Sequence, residues 1–383
     1  MISILFALVL GVGCPIAWSQ QYTITDLGPL SPAAINTWGQ VVGAVNDHAV
    51  IWSNFSGRRD LGLLPGGTFS RATAINDLGW VTGTADGMGT VVWPPPNSQP
   101  PFQCSDLTQP FLWKPGTGMR GLGTMVTKFG FGAECSTAFY GLGINDFGQV
   151  VGYTEDVGTT FQYAFMWQRD TGINLFGSSW PTTYANAISN SGQIVGQDPV
   201  VLFFYLERFG HAVSWKNGVM SDLGVLANET DPDYLGYVSS ANGVNDVGQI
   251  VGWANTSAVV WPSVRAIVWM KTGEMQDLGT LPGTLLSVAL KINLFGQVIG
   301  SSGNTLTWQP DGQAGGSIQV LGRPFIWSQR NGMRDLNTLI PSPSGWVLNS
   351  AADINVWGQI VGSGTRNGQP HGFLLTPRTF FQF

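Results

Sequence analysis

The chain has 383 residues, a formal net charge of −6 and only 10% charged residues. A charge set this sparse and slightly acidic excludes the clustered Lys and Arg that nucleic acid or an anionic membrane surface requires. With 52 glycines and 16 tryptophans beside so few charges, the composition points to a β-rich, extracytoplasmic protein.

Residues 1–19 come first. Ile2 to Gly13 is an apolar run too short to span a bilayer, and Ala17-Trp18-Ser19 forms a small-x-small cleavage pattern before Gln20. This reads as a secretory signal, although the N-terminal amine is its sole positive charge. It places the protein as secreted, periplasmic or at the cell surface. Cys14 raises a lipoprotein alternative, against which Gly11 stands where such a signal wants Leu. Cleavage leaves Cys104 and Cys135, and an even count in an exported chain predicts one disulfide. No later segment is long and apolar enough to cross a membrane.

Seven variants of Ile-Asn-Asp-x-Gly-Gln-Val-Val-Gly follow: Ile35 to Gly43, Ile75 to Gly83, Ile144 to Gly152, Ile188 to Gly196, Val244 to Gly252, Ile292 to Gly300 and Ile354 to Gly362. Asn opens a β-turn, Gly supplies its left-handed position, and the flanking β-branched residues favour strands. Each copy is therefore a tight β-hairpin. After it comes an apolar stretch usually ending in Trp, such as Ala49–Trp52, Ala164–Trp167 and Ala266–Trp269, with Gly372–Leu375 as the last copy. A Met-x-Asp-Leu-Gly-like segment completes the unit in six cases, among them Arg58–Gly62 and Met275–Gly279. The seventh such segment lies at the other end of the chain, at Tyr22–Gly28.

Seven units of four short strands, one split between the termini, predict an all-β seven-bladed β-propeller over 20–377, with 378–383 as a short tail. The N-terminal strand closes the ring by joining the C-terminal blade. Val91–Trp93, Val259–Trp261 and Leu306–Trp308 read as strands inserted within blades. The third-strand Trp residues are expected to pack between blades. The aspartates of Asp-Leu-Gly (Asp26, Asp60, Asp222, Asp277, Asp335) read as structural acceptors, with Gly121 and Asn174 in their place in two blades.

In combination these elements resemble a bacterial family of extracellular repeat proteins, the HAF-repeat proteins. The name describes His-Ala-Phe at the third strand, here His48-Ala49-Val50, Tyr163-Ala164-Phe165, His211-Ala212-Val213 and His371-Gly372-Phe373. The resemblance implies export and repetition, and no established activity. The chain stops at Phe380-Phe381-Gln382-Phe383, without the apolar, basic-ended sorting tail of many such proteins.

Topology directs the search for function. One face of the ring carries tight turns. The other carries the second-to-third loops (84–109, 155–162, 197–210, 254–264, 301–322) and the blade-to-blade connections (124–137, 225–239, 338–349). Function concentrates in loops held by a rigid scaffold. Cys104 and Cys135 both fall there, so their disulfide would staple that face. Its candidate binding aromatics are Trp93, Phe102, Trp180, Tyr205, Tyr234, Tyr237, Trp261, Trp308 and Trp346, with Phe129, Tyr184 and Phe204 nearby. Such rings suit sugars or protein partners. His48, His211 and His371 share one repeat position at the rim of this face, which argues for a structural or rim role over zinc. Glu229-Thr-Asp231-Pro-Asp233 lacks a calcium-loop pattern and reads as a solvated loop. On the tight-turn face Trp38, Phe147, Phe295 and Trp357 precede the turn glycine and are expected to pack over the neighbouring blade.

The sequence therefore predicts an exported, non-catalytic binding propeller, monomeric and without a cofactor, presenting its long-loop face to carbohydrate or protein. One competitor is a secreted enzyme acting on polysaccharide through loop carboxylates (Glu155, Asp156, Asp198, Glu207, Glu229, Asp231, Asp233). The other is a structural envelope or matrix protein.

Overall fold

Seven four-stranded antiparallel sheets form the molecule, seen in a computed structural model that describes residues 21–88, 91–92, 108–125, 137–156, 162–177, 183–198, 210–226, 238–256, 263–311 and 314–378. Blade 1 comprises Ser31–Ile35, Val41–Val45, His48–Ser53 and Gly57–Asp60. Blade 2 comprises Ser70–Ile75, Val81–Ala85, Gln109–Lys114 and Gly118–Gly121. Blade 3 comprises Thr137–Ile144, Val150–Asp156, Gln162–Gln168 and Gly172–Phe176. Blade 4 comprises Tyr184–Ile188, Ile194–Asp198, His211–Lys216 and Val219–Asp222. Blade 5 comprises Ser239–Val244, Ile250–Asn255, Val264–Trp269 and Met275–Asp277. Blade 6 comprises Leu286–Ile292, Val298–Asp311, Ala314–Ser328 and Gly332–Asp335. Blade 7 takes Trp346–Ile354, Ile360–Arg366 and Gln369–Pro377 from the C-terminal end and Tyr22–Gly28 from the N-terminal end. Tyr22 lies opposite Pro377 and Asp26 opposite Phe373 in an antiparallel ladder, so the ring closes as expected.

The core is divided into wedges, one between each pair of adjacent blades. Ile51, Phe111 and Trp113 share the wedge between blades 1 and 2, and Leu112, Phe165 and Trp167 the next. Trp215, Trp269 and Trp327 fill the same role further round, each facing the preceding blade. The Arg59 guanidinium stacks 5.3 Å from the Trp113 ring and Arg120 5.2 Å from that of Trp167, so cations cover the outer edges of two wedges.

The last glycine of each repeat has a steric cause. Each first strand carries a bulge opposite it, for example between Gly141 and Gly143 facing Gly152. The bulge pushes a carbonyl into the space a side chain would need: a Cβ on Gly152 would overlap the Tyr140 carbonyl and lie 3.0 Å from the Phe165 ring. The small residue lets the aromatic third-strand residue pack flat on the second strand.

Two expectations change. Val91–Val92 is no hairpin insertion, since it pairs in parallel with Thr124–Met125. Leu306–Trp308 is, as expected, inserted within a blade: it extends blade 6 into a long hairpin, whose returning strand approaches Val150–Asp156 of blade 3 and so leans across the ring axis on the long-loop face. Val259–Trp261 lies outside the described residues. The disulfide expected between Cys104 and Cys135 is not upheld: no disulfide is present among the described residues, and both cysteines lie outside them. The ring itself is closed by the strand ladder of blade 7.

Candidate functional site

The recurring polar residues of the repeat are occupied in holding the ring. Asn293 shows the pattern. Its side-chain oxygen accepts from the Phe295 and Gln297 N–H groups at 3.1 and 3.0 Å, and its amide donates to Gln297 Oε1 at 2.7 Å. The second amide hydrogen goes to the next blade, onto the Asn355 carbonyl at 3.0 Å. Asn355 bonds in turn to the Asn36 carbonyl, Asn36 to Asn76, Asn76 to Asn145, and Asn145 to Ser189. Blade 4 breaks the circle, because Ser189 is too short to reach blade 5. The repeat glutamine then packs beneath the neighbouring turn: Gln40 Oε1 lies 3.2 Å from where a Cβ on Gly79 would sit. That contact and a φ of 72° both demand glycine there.

A second lock runs along the long-loop rim. The Asp-Leu-Gly carboxylates each accept the N–H two residues on, as Asp222 does from Gly224 at 2.8 Å. The second oxygen of Asp60 lies 2.7 Å from His48 and that of Asp222 3.0 Å from His211, both at the third-strand position, while in Asp26 the oxygen that takes the Gly28 N–H also lies 2.8 Å from His371 and the second oxygen faces Arg366. In blade 6 Arg323 replaces the histidine, 3.0 Å from Asp335. The three histidines thus sit at separate rim pairs and do not converge. Burial pushes the Asp222 and Asp26 carboxyls up, but the backbone N–H and the histidine, with Arg366 also on Asp26, outweigh it and hold both below the usual value. A carboxyl depressed in the folded state stabilises the fold above its unfolded pKa and loses that contribution as pH falls through the folded one. The melting temperature should therefore fall on acidification below about pH 4, and Asp222→Asn should flatten that slope. A melting curve over pH 2–6 with the same slope in the variant would show that the rim pair contributes nothing.

The turn residues that vary between blades form a surface around the axis. At the position before the turn glycine stand Trp38, Leu78, Phe147, Ser191, Val247, Phe295 and Trp357, and the aromatics are 74, 75, 53 and 50% exposed for Trp38, Phe147, Phe295 and Trp357. Trp38 and Trp357 do reach over the neighbouring blade, as expected, yet half or more of each side chain stays exposed. Trp38 Nε1 donates to the Asp77 carbonyl at 2.8 Å and Trp357 Nε1 to the Thr37 carbonyl at 2.9 Å, so each indole is pinned edge-on with its polar atom used. One step inward, blades 6, 7 and 1 carry Leu294, Val356 and Thr37, while blades 2 to 5 carry Asp77, Asp146, Asn190 and Asp246. The face is thus apolar on one side and acidic on the other, around a channel mouth of about 430 Å³. Lower in this mouth Asp353 accepts the Ile35 N–H at 2.9 Å. Loss of hydration raises its pKa, against the pull of Lys291 and two backbone N–H groups.

Most of the binding residues expected on the long-loop face, Trp93, Phe102, Trp180, Tyr205, Tyr234, Tyr237 and Trp261, lie outside the described residues. The backbone of Trp308 is in the blade 6 hairpin. Trp346 is buried, its ring edge-on to His371 at 6.1 Å between centroids. Of the loop carboxylates, Glu155 accepts from the Tyr140 hydroxyl and Asp198 from Thr183, whereas Glu207, Glu229, Asp231 and Asp233 lie outside the described residues. Among the described residues no group of three His, Cys, Asp or Glu could hold a metal ion, and no helix is long and apolar enough to cross a membrane.

No family model matches the chain, and no curated protein does. Solved structures do match in fold. An oligogalacturonate lyase in complex with manganese superposes with a TM-score of 0.55 at 11% identity, covering 95% of this chain and 96% of that one. An acylaminoacyl peptidase from Pyrococcus horikoshii gives 0.48 at 11% identity, over 93% of this chain and 52% of that one. The propeller domain of the Trilobed protease from Pyrococcus furiosus gives 0.33 at 10% identity, over 83% and 98%. At these identities the likeness establishes the architecture alone: this chain is a seven-bladed β-propeller, a fold that catalytic and non-catalytic proteins share.

Proposed function

We propose that this protein is an exported, non-catalytic interaction propeller of the HAF-repeat kind, which grips a protein segment on its tight-turn face. The observation that carries the reading is the arc Phe295, Trp357 and Trp38, large apolar side chains left exposed on rigid turns. Contiguous exposed apolar area of this kind marks interaction surfaces, and tryptophans are over-represented among the residues that dominate binding energy. A sugar needs hydrogen-bonding groups beside the ring it stacks on, but here both indole N–H groups are already taken by backbone carbonyls. The acidic side of the same face, Asp77, Asp146 and Asp246, favours a partner whose apolar anchor is flanked by Lys or Arg. The long-loop face remains a place for a second partner, carbohydrate or protein.

Panning a random-peptide library against residues 20–383 tests the reading. Enriched peptides are expected to combine aromatic or aliphatic residues with basic ones. Trp38→Ser/Trp357→Ser should weaken them by about 30-fold, the ratio that corresponds to losing about 2 kcal/mol. Peptides that bind the double variant as well as the parent, or an array in which only glycans bind, would remove the proposal.

A further inference from the structure

The interface between blades 4 and 5 departs from the other six. One third-strand position fills each wedge from the preceding blade, with Ile51, Leu112, Met166, Val268, Ile326 and Leu374 in six blades; blade 4 has Ser214. Above it the turn position that is aromatic or aliphatic in every other blade is Ser191. Two large apolar side chains are thus replaced by hydroxyls in one interface. The result is a groove of about 520 Å³, within the range of roughly 300–1,000 Å³ typical of small-molecule sites.

Its lining is chemically mixed. Trp269, Met270, Val247 and Ile250 provide apolar area, Ser214 and Gln193 provide hydrogen-bonding groups, and Lys216 and Lys271 provide charge. The two carboxylates in the lining are already engaged. Asp222 takes the Gly224 N–H and faces His211, and Asp246 accepts both the backbone and side-chain N–H of Asn190. Two of the chain's five lysines therefore line one groove of a protein with net charge −6, and among the described residues neither is in an ion pair.

We infer that the groove between blades 4 and 5 binds a small sugar acid. Its carboxylate is held by Lys216 and Lys271, its hydroxyls by Ser214 and Gln193, and its apolar ring face lies against Met270 and Val247. A charge-assisted hydrogen bond to an ammonium is roughly twice as strong as a neutral one, so the acid and not the neutral sugar is selected. The site is separate from the tryptophan arc, which belongs to blades 6, 7 and 1.

Titration calorimetry with D-glucuronate, D-glucose and acetate on residues 20–383 tests this. Glucuronate is expected to bind at least tenfold more tightly than glucose or acetate. Ser214→Leu restores the residue type of the other blades; it should raise the melting temperature and weaken glucuronate at least tenfold. Lys216→Ala/Lys271→Ala should weaken glucuronate to the level of glucose without lowering the melting temperature, and Trp38→Ser should change neither. Glucuronate binding no tighter than glucose, or binding that survives Ser214→Leu or the double lysine variant, would overturn the inference.

Discussion

Gly152→Ala is expected to cost about 4 kcal/mol or more, in the range reserved for substitutions that overpack a core or force the backbone to move. The added methyl would fall on the Tyr140 carbonyl, which belongs to the paired first strand of blade 3 and cannot rotate away, and would press on the Phe165 ring from 3.0 Å. Relief would require opening the bulge or displacing Phe165, which is fully buried in the wedge between blades 2 and 3. The melting temperature should fall by roughly 5 °C, taking a little over 1 °C per kcal/mol for a ring of this length. Gly192→Ala is the control. That turn glycine has a φ of 74° but nothing within 4 Å of its added methyl, so the cost is confined to the left-handed backbone, about 1–2 kcal/mol. Equal melting shifts for the two variants would mean that close strand approach does not explain the second-strand glycine.

Asn293→Ala should be among the most damaging polar substitutions, with Asn36 and Asn355 in the same role in their blades. It removes the oxygen that accepts two backbone N–H groups, the restraint on Gln297 and the bond to the Asn355 carbonyl, all in a side chain that is almost fully buried. At about 1 kcal/mol for each bond, and with partners left unsatisfied inside the ring, a loss of about 3–4 kcal/mol is expected by urea denaturation. Asn293→Ser copies what blade 4 has at Ser189, where the hydroxyl still accepts the Gln193 N–H at 3.2 Å, so it should cost clearly less. A serine variant as unstable as the alanine one would show that the link between blades, and not the local turn, carries the energy.

Much of this architecture is legible in the sequence because each blade repeats one solution to one problem. Asn, Gly, Gln and the final Gly recur since each contact is made with the next copy of the same unit, and the split seventh unit announces the closing strand. The exposure of Trp38 and Trp357 was not legible. Their indoles reach the neighbouring turn, as a packed residue would, but the turn sits at the outer face and leaves half or more of each ring exposed. The groove between blades 4 and 5 could have been found by aligning the seven repeats, where Ser191 and Ser214 each stand alone in an otherwise apolar column. That signal is visible only when departures from the repeat are read as closely as the repeat. The expected binding loops offer no such columns, since their lengths and residues differ from blade to blade.

Recurring residues build the ring, while the residues departing from the repeat are left to bind. Stability and peptide binding measured together for Asn293→Ala and for Trp38→Ser/Trp357→Ser separate the two roles. The first variant should melt roughly 5 °C below the parent, and the second within roughly 2 °C of it with peptide binding lost. A tryptophan pair that melts as early as the asparagine variant would instead make the exposed arc part of the scaffold.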